Sequence, residues 1–126
     1  MCRVIFYYQT MKTPEQQLIS LDSILYPGTP VTHLHLAALH FGTDSNHRPY
    51  LHLNNRVPTD SYFDEVWRSL QRAVSRKIKL VVMIGGAGGG YASLFSDFDT
   101  YYPLLVNFLR SRPYLSGVDL DVEENL

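Results

Sequence analysis

The sequence predicts an α/β fold made of parallel strands joined by helical crossovers. Three observations lead there. Strand-like and helix-like stretches alternate as strand, helix, strand, helix, strand, helix, strand, an order that implies parallel pairing. The stretch Lys79–Ile84 is almost wholly apolar, as expected of a strand covered on both faces. The two stretches with unusual chemistry, Gly85–Gly90 and Asp119–Glu123, both fall at the C-terminal ends of strands, where such folds collect function.

Arg3 to Gln9 is rich in Val, Ile, Phe and Tyr and reads as the first strand. Thr13-Pro14-Glu15-Gln16 reads as a helix start: Thr13 can cap, Pro14 suits the first helical position, and Gln16 completes a capping box. Leu18, Leu21, Ile24 and Leu25 would give that helix its apolar face, and Tyr26-Pro27-Gly28-Thr29-Pro30 would stop it. Thr32 to Leu39 reads as the second strand. A long polar loop is expected from Phe41 to Thr59, with a short extra strand inside it at Tyr50 to Leu53.

Asp60 is placed to cap a helix from Ser61 to about Arg76, with Phe63, Val66, Trp67, Leu70, Ala73 and Val74 on one stripe. Trp67 lies on that stripe and so reads as core, not as a platform for a ligand. Lys79 to Ile84 is the third strand. Tyr91 to Phe95 can form one helical turn. A further helix is expected from about Thr100 to Ser111, capped by Asp97 or Asp99 and carrying Leu104, Leu105, Phe108 and Leu109, with Pro103 in its first turn. The last ten residues, Gly117 to Leu126, form the fourth strand.

That final strand carries the strongest chemical signal. Asp119, Asp121 and Glu123 alternate with Val118, Leu120 and Val122, so three carboxylates share one face and three aliphatics the other. Neighbours on one face of a strand sit ~6.5 Å apart, where two full charges repel by roughly 2.5 kcal/mol at an effective dielectric of ~20. Crowding of this kind favours one carboxyl keeping its proton, which is what a general acid needs. An exposed edge strand with one wet face fits the same pattern. So does a site for a hard cation. Spacing alone leaves the three readings level.

The run Gly85–Gly90, G-G-A-G-G-G, also has three readings. As a phosphate cradle it lacks the Lys-Ser/Thr of a P-loop and fits G-x-G-x-x-G badly. As structure alone it is a tight turn with backbone close to its neighbours. As function, Gly85 and Gly86 would leave room for a ligand beside the acids. His33 and His35 share one face of the second strand and read as histidines satisfied by hydrogen bonds.

Composition narrows the classes further. Net charge is −1 over 126 residues, so nothing basic enough to hold nucleic acid is present. Nine Tyr, six Phe and one Trp suit a carbohydrate-facing protein without proving one. Cys2 is the single cysteine, which excludes an internal disulfide. No apolar run approaches the ~18 residues needed to cross a bilayer. Met1-Cys2-Arg3 leads straight into a strand with no cleavage signal, so the chain as it stands reads as cytoplasmic; a shortened reading frame would look the same.

These residues carry a resemblance. Ser116-Gly117-Val118-Asp119-Leu120-Asp121-Val122-Glu123 is similar to the D-G-x-D-x-D-x-E signature of glycoside hydrolase family 18, the chitinase family, with Ser116 in place of the first Asp. Met83-Ile84-Gly85-Gly86 resembles the family's S-x-G-G, with Met83 in place of Ser. Tyr7-Tyr8 on the first strand and Thr32-His33-Leu34 on the second resemble the family too, and the similarity runs through the whole chain in order. The resemblance implies a TIM barrel and substrate-assisted, retaining hydrolysis of N-acetylglucosamine-containing chains, without metal or cofactor. The candidates would be chitin, the core of a glycoprotein N-glycan, or a bacterial wall polymer. Glu123 would protonate the glycosidic oxygen. Asp121 would orient the substrate's own 2-acetamido group, and Asp119 would share a proton with Asp121. Tyr7 would line the sugar site on the first strand, with a packed core tyrosine as the equal alternative, and Gly85 and Gly86 would make room on the third. Glu124, on the opposite face, would stand outside the chemistry.

A TIM barrel takes ~250 residues and eight strands, so the expectation is its N-terminal half, one partial domain over residues 1–126 with four strands. The family's later tyrosine and last-strand tryptophan would lie past Leu126. A half-barrel leaves open edges on its first and fourth strands, which invites self-association, and its own hydrolysis should be weak or absent. A non-catalytic, chitinase-like carbohydrate-binding protein is the alternative; the intact acidic trio argues against it. An incomplete gene product without function is a third.

Overall fold

The computed structural model describes residues 2–85 and 90–121. Among them the chain forms β1 (Ile5–Tyr8), β2 (His33–Thr43), β3 (Pro49–Leu53), α1 (Asp64–Ser75), β4 (Lys79–Gly85), α2 (Gly90–Ser96), α3 (Phe98–Ser111) and β5 (Leu115–Asp121). Four strands run parallel in the order β1-β2-β4-β5, and β3 pairs antiparallel with the far half of β2. The two strands that carry the glycine and acid motifs, β4 and β5, are neighbours.

The core lies on one face of this sheet. Leu34, Leu36, Leu80, Val82 and Ile84 are fully buried there against Val66, Leu70 and Ala73 of α1 and against the β3 hairpin. Burying a Leu or Val side chain is worth about 1.5–3 kcal/mol, so this layer holds the sheet flat against its helices. On β5 the same face is open: Val118 and Leu120 are 38% and 50% exposed. Helix α3 packs over β3 and the far half of β2, with the Phe41 and Tyr101 rings 5.6 Å apart edge to face.

The first crossover differs from the expected helix. Thr13–Gln17 forms a tight turn instead: the Gln16 N–H donates to Thr13 O at 2.9 Å, the Thr13 N–H to Gln17 O at 2.8 Å, and Gln16 has φ 67°. Lys12 and Leu18 then bridge antiparallel. Proline suits the second position of a turn as well as the first turn of a helix, and the positive φ at Gln16 sends the chain back on itself. Leu21, Ile24 and Leu25 are buried all the same, around a single turn closed by the Leu25 N–H on Leu21 O.

The second strand is longer than expected. It continues to Thr43, so the stretch read as a polar loop is half strand. Asp44 makes the turn, its Oδ1 accepting the N–H groups of Asn46 (2.8 Å) and Arg48 (3.0 Å), a local bond that short acidic side chains make readily. The chain returns as β3, over the residues where the extra strand was expected.

The other elements follow their local signals closely. Asp60 Oδ1 accepts the Tyr62 N–H at 2.8 Å and caps the 3₁₀ turn Ser61–Phe63 that opens α1. Trp67 is core, with Nε1–H donating to Pro58 O at 2.9 Å and the Arg112 guanidinium 4.1 Å over its ring. Helix α3 begins at Phe98, two residues early, which puts Pro103 in its second turn and adds Tyr101 to the buried stripe.

Candidate active site

Strand register assembles the site, because residues level with one another across parallel strands share a face. Tyr7 lies level with His35, Val81 and Gly117; Ala37 with Met83 and Asp119; and Gly85 with Asp121. These rows make up the face opposite the core. Tyr7, His35, Asp119, Asp121 and Gly85 therefore meet on one side of the sheet, towards its C-terminal end. Of the residues expected at the site, Gly86 and Glu123 lie outside the described residues.

Asp119 and Asp121 project to the same side. The Asp119 side chain is 35% exposed, so the surface is an open hollow. The hollow has a volume of about 370 Å³ and is walled by Tyr7, Gln9, Ala37, Met83, Asp119 and Asp121. A second hollow of about 490 Å³ continues down the same face past His35, His33 and Ile5, and Asp119 belongs to both. A larger one, about 590 Å³, sits at the N-terminal ends of β1, β2 and β4 between Arg3, Leu25, Tyr26, Ile78 and Lys79, and holds none of the expected site residues.

Two adjacent tyrosines divide by strand alternation. Tyr7 points into the acid-lined hollow and is 54% exposed. Tyr8 points into the core, donates from Oη to Ile19 O at 2.8 Å, and has its phenol pushed up to about 12 by burial. Gly85 ends β4 with φ 109°, a conformation that side chains other than glycine's rarely take. The glycine expected to make room at the site is thus held there by backbone geometry as well.

The face is electrically graded. At its lower end the His33 imidazole is shifted down, by burial first and then by the positive charges of Arg3 and Lys79 and by His35. At its upper end sit the two aspartates. Between them His35 is 8% exposed, its Nδ1 is 3.1 Å from Asp119 Oδ2, and the Tyr7 ring meets it edge-on at 5.1 Å. Among the described residues no cluster of three His, Cys, Asp or Glu side chains is arranged to hold a metal ion.

Sequence reasoning missed two residues. It read His35 as a satisfied histidine without seeing that its partner is Asp119, 84 residues away. It passed over Asn54, whose Oδ1 accepts the Ala38 N–H (3.0 Å) and whose Nδ2 donates to Gln9 O (3.1 Å), tying the middle of β2 to the end of β1 beside the hollow. No spacing rule could have found either one. A non-glycine residue in a turn at φ 58° often is Asn, but which strands it ties is a tertiary fact.

Among solved structures, the chain is similar to a chitinase, ChiC, from Aspergillus fumigatus, with a TM-score of 0.81 and 33% identity over 97% of this chain and 44% of that one. It is similar at the same TM-score to a fungal endo-β-N-acetylglucosaminidase from glycosyl hydrolase family 18, with 26% identity over 98% of this chain and 45% of that one. The chain resembles the N-terminal half of a glycoside hydrolase family 18 barrel. No protein-family model matches the sequence, and no curated protein does. The chain spans less than half the length of either of these family 18 structures. Seen as a family 18 half-barrel, β1, β2, β4 and β5 are the first four barrel strands, and β3 is a hairpin added to the second. Asp119 and Asp121 stand on the face of β5 opposite the core.

Proposed function

We propose that this chain carries the acid machinery of a glycoside hydrolase that cleaves β-1,4-linked N-acetylglucosamine chains by substrate-assisted retention. The observation that supports it best is the shared face of Asp119, Asp121, Tyr7 and Gly85 at the C-terminal end of a parallel sheet. In this reading the Glu123 carboxyl gives its proton to the glycosidic oxygen as the bond from that oxygen to the anomeric carbon breaks. The carbonyl oxygen of the substrate's 2-acetamido group bonds to the same carbon, so the intermediate is an oxazolinium ion and not an ester of the protein. Asp121 orients the acetamido N–H and offsets the positive charge. The Glu123 carboxylate then takes a proton from the water that opens the ring, and the original configuration is restored. Asp119, one step deeper on the strand, shares the proton of Asp121. Tyr7 borders the sugar.

The isolated 126 residues bind the sugar but turn it over weakly or not at all. Titration with the thiazoline analogue of the oxazolinium ion tests the first half of that statement. Saturable binding, weakened at least tenfold by Asp121→Asn, is expected; no binding to the folded chain would sink the sugar-cleaving reading. A fluorogenic chitobioside tests the second half. Turnover near the blank is expected, whereas clear turnover removed by Glu123→Gln would show that the chain is a competent enzyme by itself.

A further inference from the structure

The face that carries the aspartates holds one buried ionisable side chain for which the proposed reaction has no task. We propose that His35 is a positioning residue for the acid site: its Nδ1–H grips Oδ2 of Asp119 and fixes the direction in which that carboxylate presents its other oxygen. The proposal rests on the sugar-cleaving reading for its purpose, but its geometry stands independently.

Hydrogen-bond chemistry sets the direction of the contact. With Asp119 ionised, its carboxylate offers acceptors only, and the 3.1 Å contact then places the hydrogen on Nδ1. The residue level with Asp119 on the adjacent strand β4 is Met83, which offers no N–H or O–H. The contact therefore reaches across β4 from β2, and among the described residues His35 is the only side chain within hydrogen-bond distance of Asp119. The ring has little freedom to leave. It is 8% exposed, with Tyr7 against it at 5.1 Å and the His33 ring at 6.5 Å, both edge-on.

A short side chain with one oxygen held has one oxygen left to share. Asp121 lies two residues along the same face, so the free oxygen of Asp119 is the one that can share its proton. Without His35, no side chain among the described residues holds the Asp119 carboxylate in one orientation. A carboxylate that turns away no longer supports Asp121. Rigid second partners of this kind set the geometry of functional side chains elsewhere.

Ring-nitrogen NMR of the chain at pH 8 reads the hydrogen bond directly. The expected result is His35 protonated on Nδ1, with that signature lost in Asp119→Ala; a His35 ring carrying its hydrogen on Nε2 would overturn the proposal. Thiazoline binding reads the consequence. His35→Leu should weaken it at least tenfold, and His35→Gln, which keeps an N–H donor, should stay within about threefold of the parent. Equal binding by parent and His35→Leu would also overturn it. If the parent itself binds no thiazoline, the sugar-cleaving reading fails, and the NMR signature alone decides whether His35 holds Asp119.

Discussion

Asn54 offers the sharpest test of how the upper rim of the site is held. It sits at φ 58°, its backbone N–H donates to Ala38 O at 2.9 Å, its Oδ1 accepts the Ala38 N–H at 3.0 Å, and its Nδ2 donates to Gln9 O at 3.1 Å. Ala38 is 2% exposed, so its N–H has no water to turn to once Oδ1 is gone. An unsatisfied buried donor costs about 1–3 kcal/mol. The bond to Gln9 is at the surface, and a typical hydrogen bond contributes only about 0.5–1.5 kcal/mol net. Asn54→Gly removes both bonds while keeping the backbone unstrained, so a loss of roughly 1.5–4.5 kcal/mol is expected from these terms. Asn54→Ala adds a left-handed alanine at about 1–2 kcal/mol, partly offset by the ~0.5–1 kcal/mol that glycine loses in entropy. Alanine should therefore be the worse of the two, by up to about 1.5 kcal/mol. For a chain of this length each kcal/mol shifts Tm by about 3–6 °C. Urea and thermal unfolding of parent, Asn54→Gly and Asn54→Ala measure the series. Two variants within 0.5 kcal/mol of the parent, or an alanine variant more stable than the glycine one, would refute this account of the rim.

Stability should also depend on pH through the histidines of the β2–β3 hairpin. Burial lowers His40 from 6.5, and burial together with His40 lowers His52. The unfolded chain then binds more protons than the folded one between the unfolded value of 6.5 and the lowered folded values, so stability is full above 6.5 and falls as pH drops through that window. Urea midpoints that decline from pH 7.5 to 5.5, and decline less in His40→Gln with His52→Gln, are expected; identical pH slopes in parent and double variant would count against it. Gly42→Ala should cost about 1–3 kcal/mol by overpacking, because a Cβ there would stand 2.6 Å from Tyr50 Oη and push the ring off His52, on which it stacks at 3.8 Å. Unchanged Tm in that variant would mean that Tyr50 moves aside freely.

The clearest failure of local reading is the stretch after Thr13. Its proline, capping residues and spaced leucines suit a helix, and Leu21, Ile24 and Leu25 are indeed core. Periodicity detects which residues are buried, but here burial comes from a looped segment whose turn is set by Gln16. The same limit explains the extended β2. The stretch His40–Thr43 becomes strand because β3 pairs with it; the strand at Tyr50–Leu53 was legible, but the strand it pairs with was not. Asp60 and the stripe of α1 were legible because a cap and a helical period act within a few residues.

Alternation determined that Asp119 and Asp121 share a face and that Tyr7 and Tyr8 part company, and the strand–helix order put the acids at the C-terminal end of a parallel strand. The first two follow from the period of the backbone, which is the same wherever the strand lies. Only the tertiary structure decided that His35 reaches Asp119 across an intervening strand, that Asn54 ties the end of β1 to the middle of β2, and that the acid face is an open hollow. Each of those depends on register between segments far apart in the chain, and register is fixed by packing that no local pattern records.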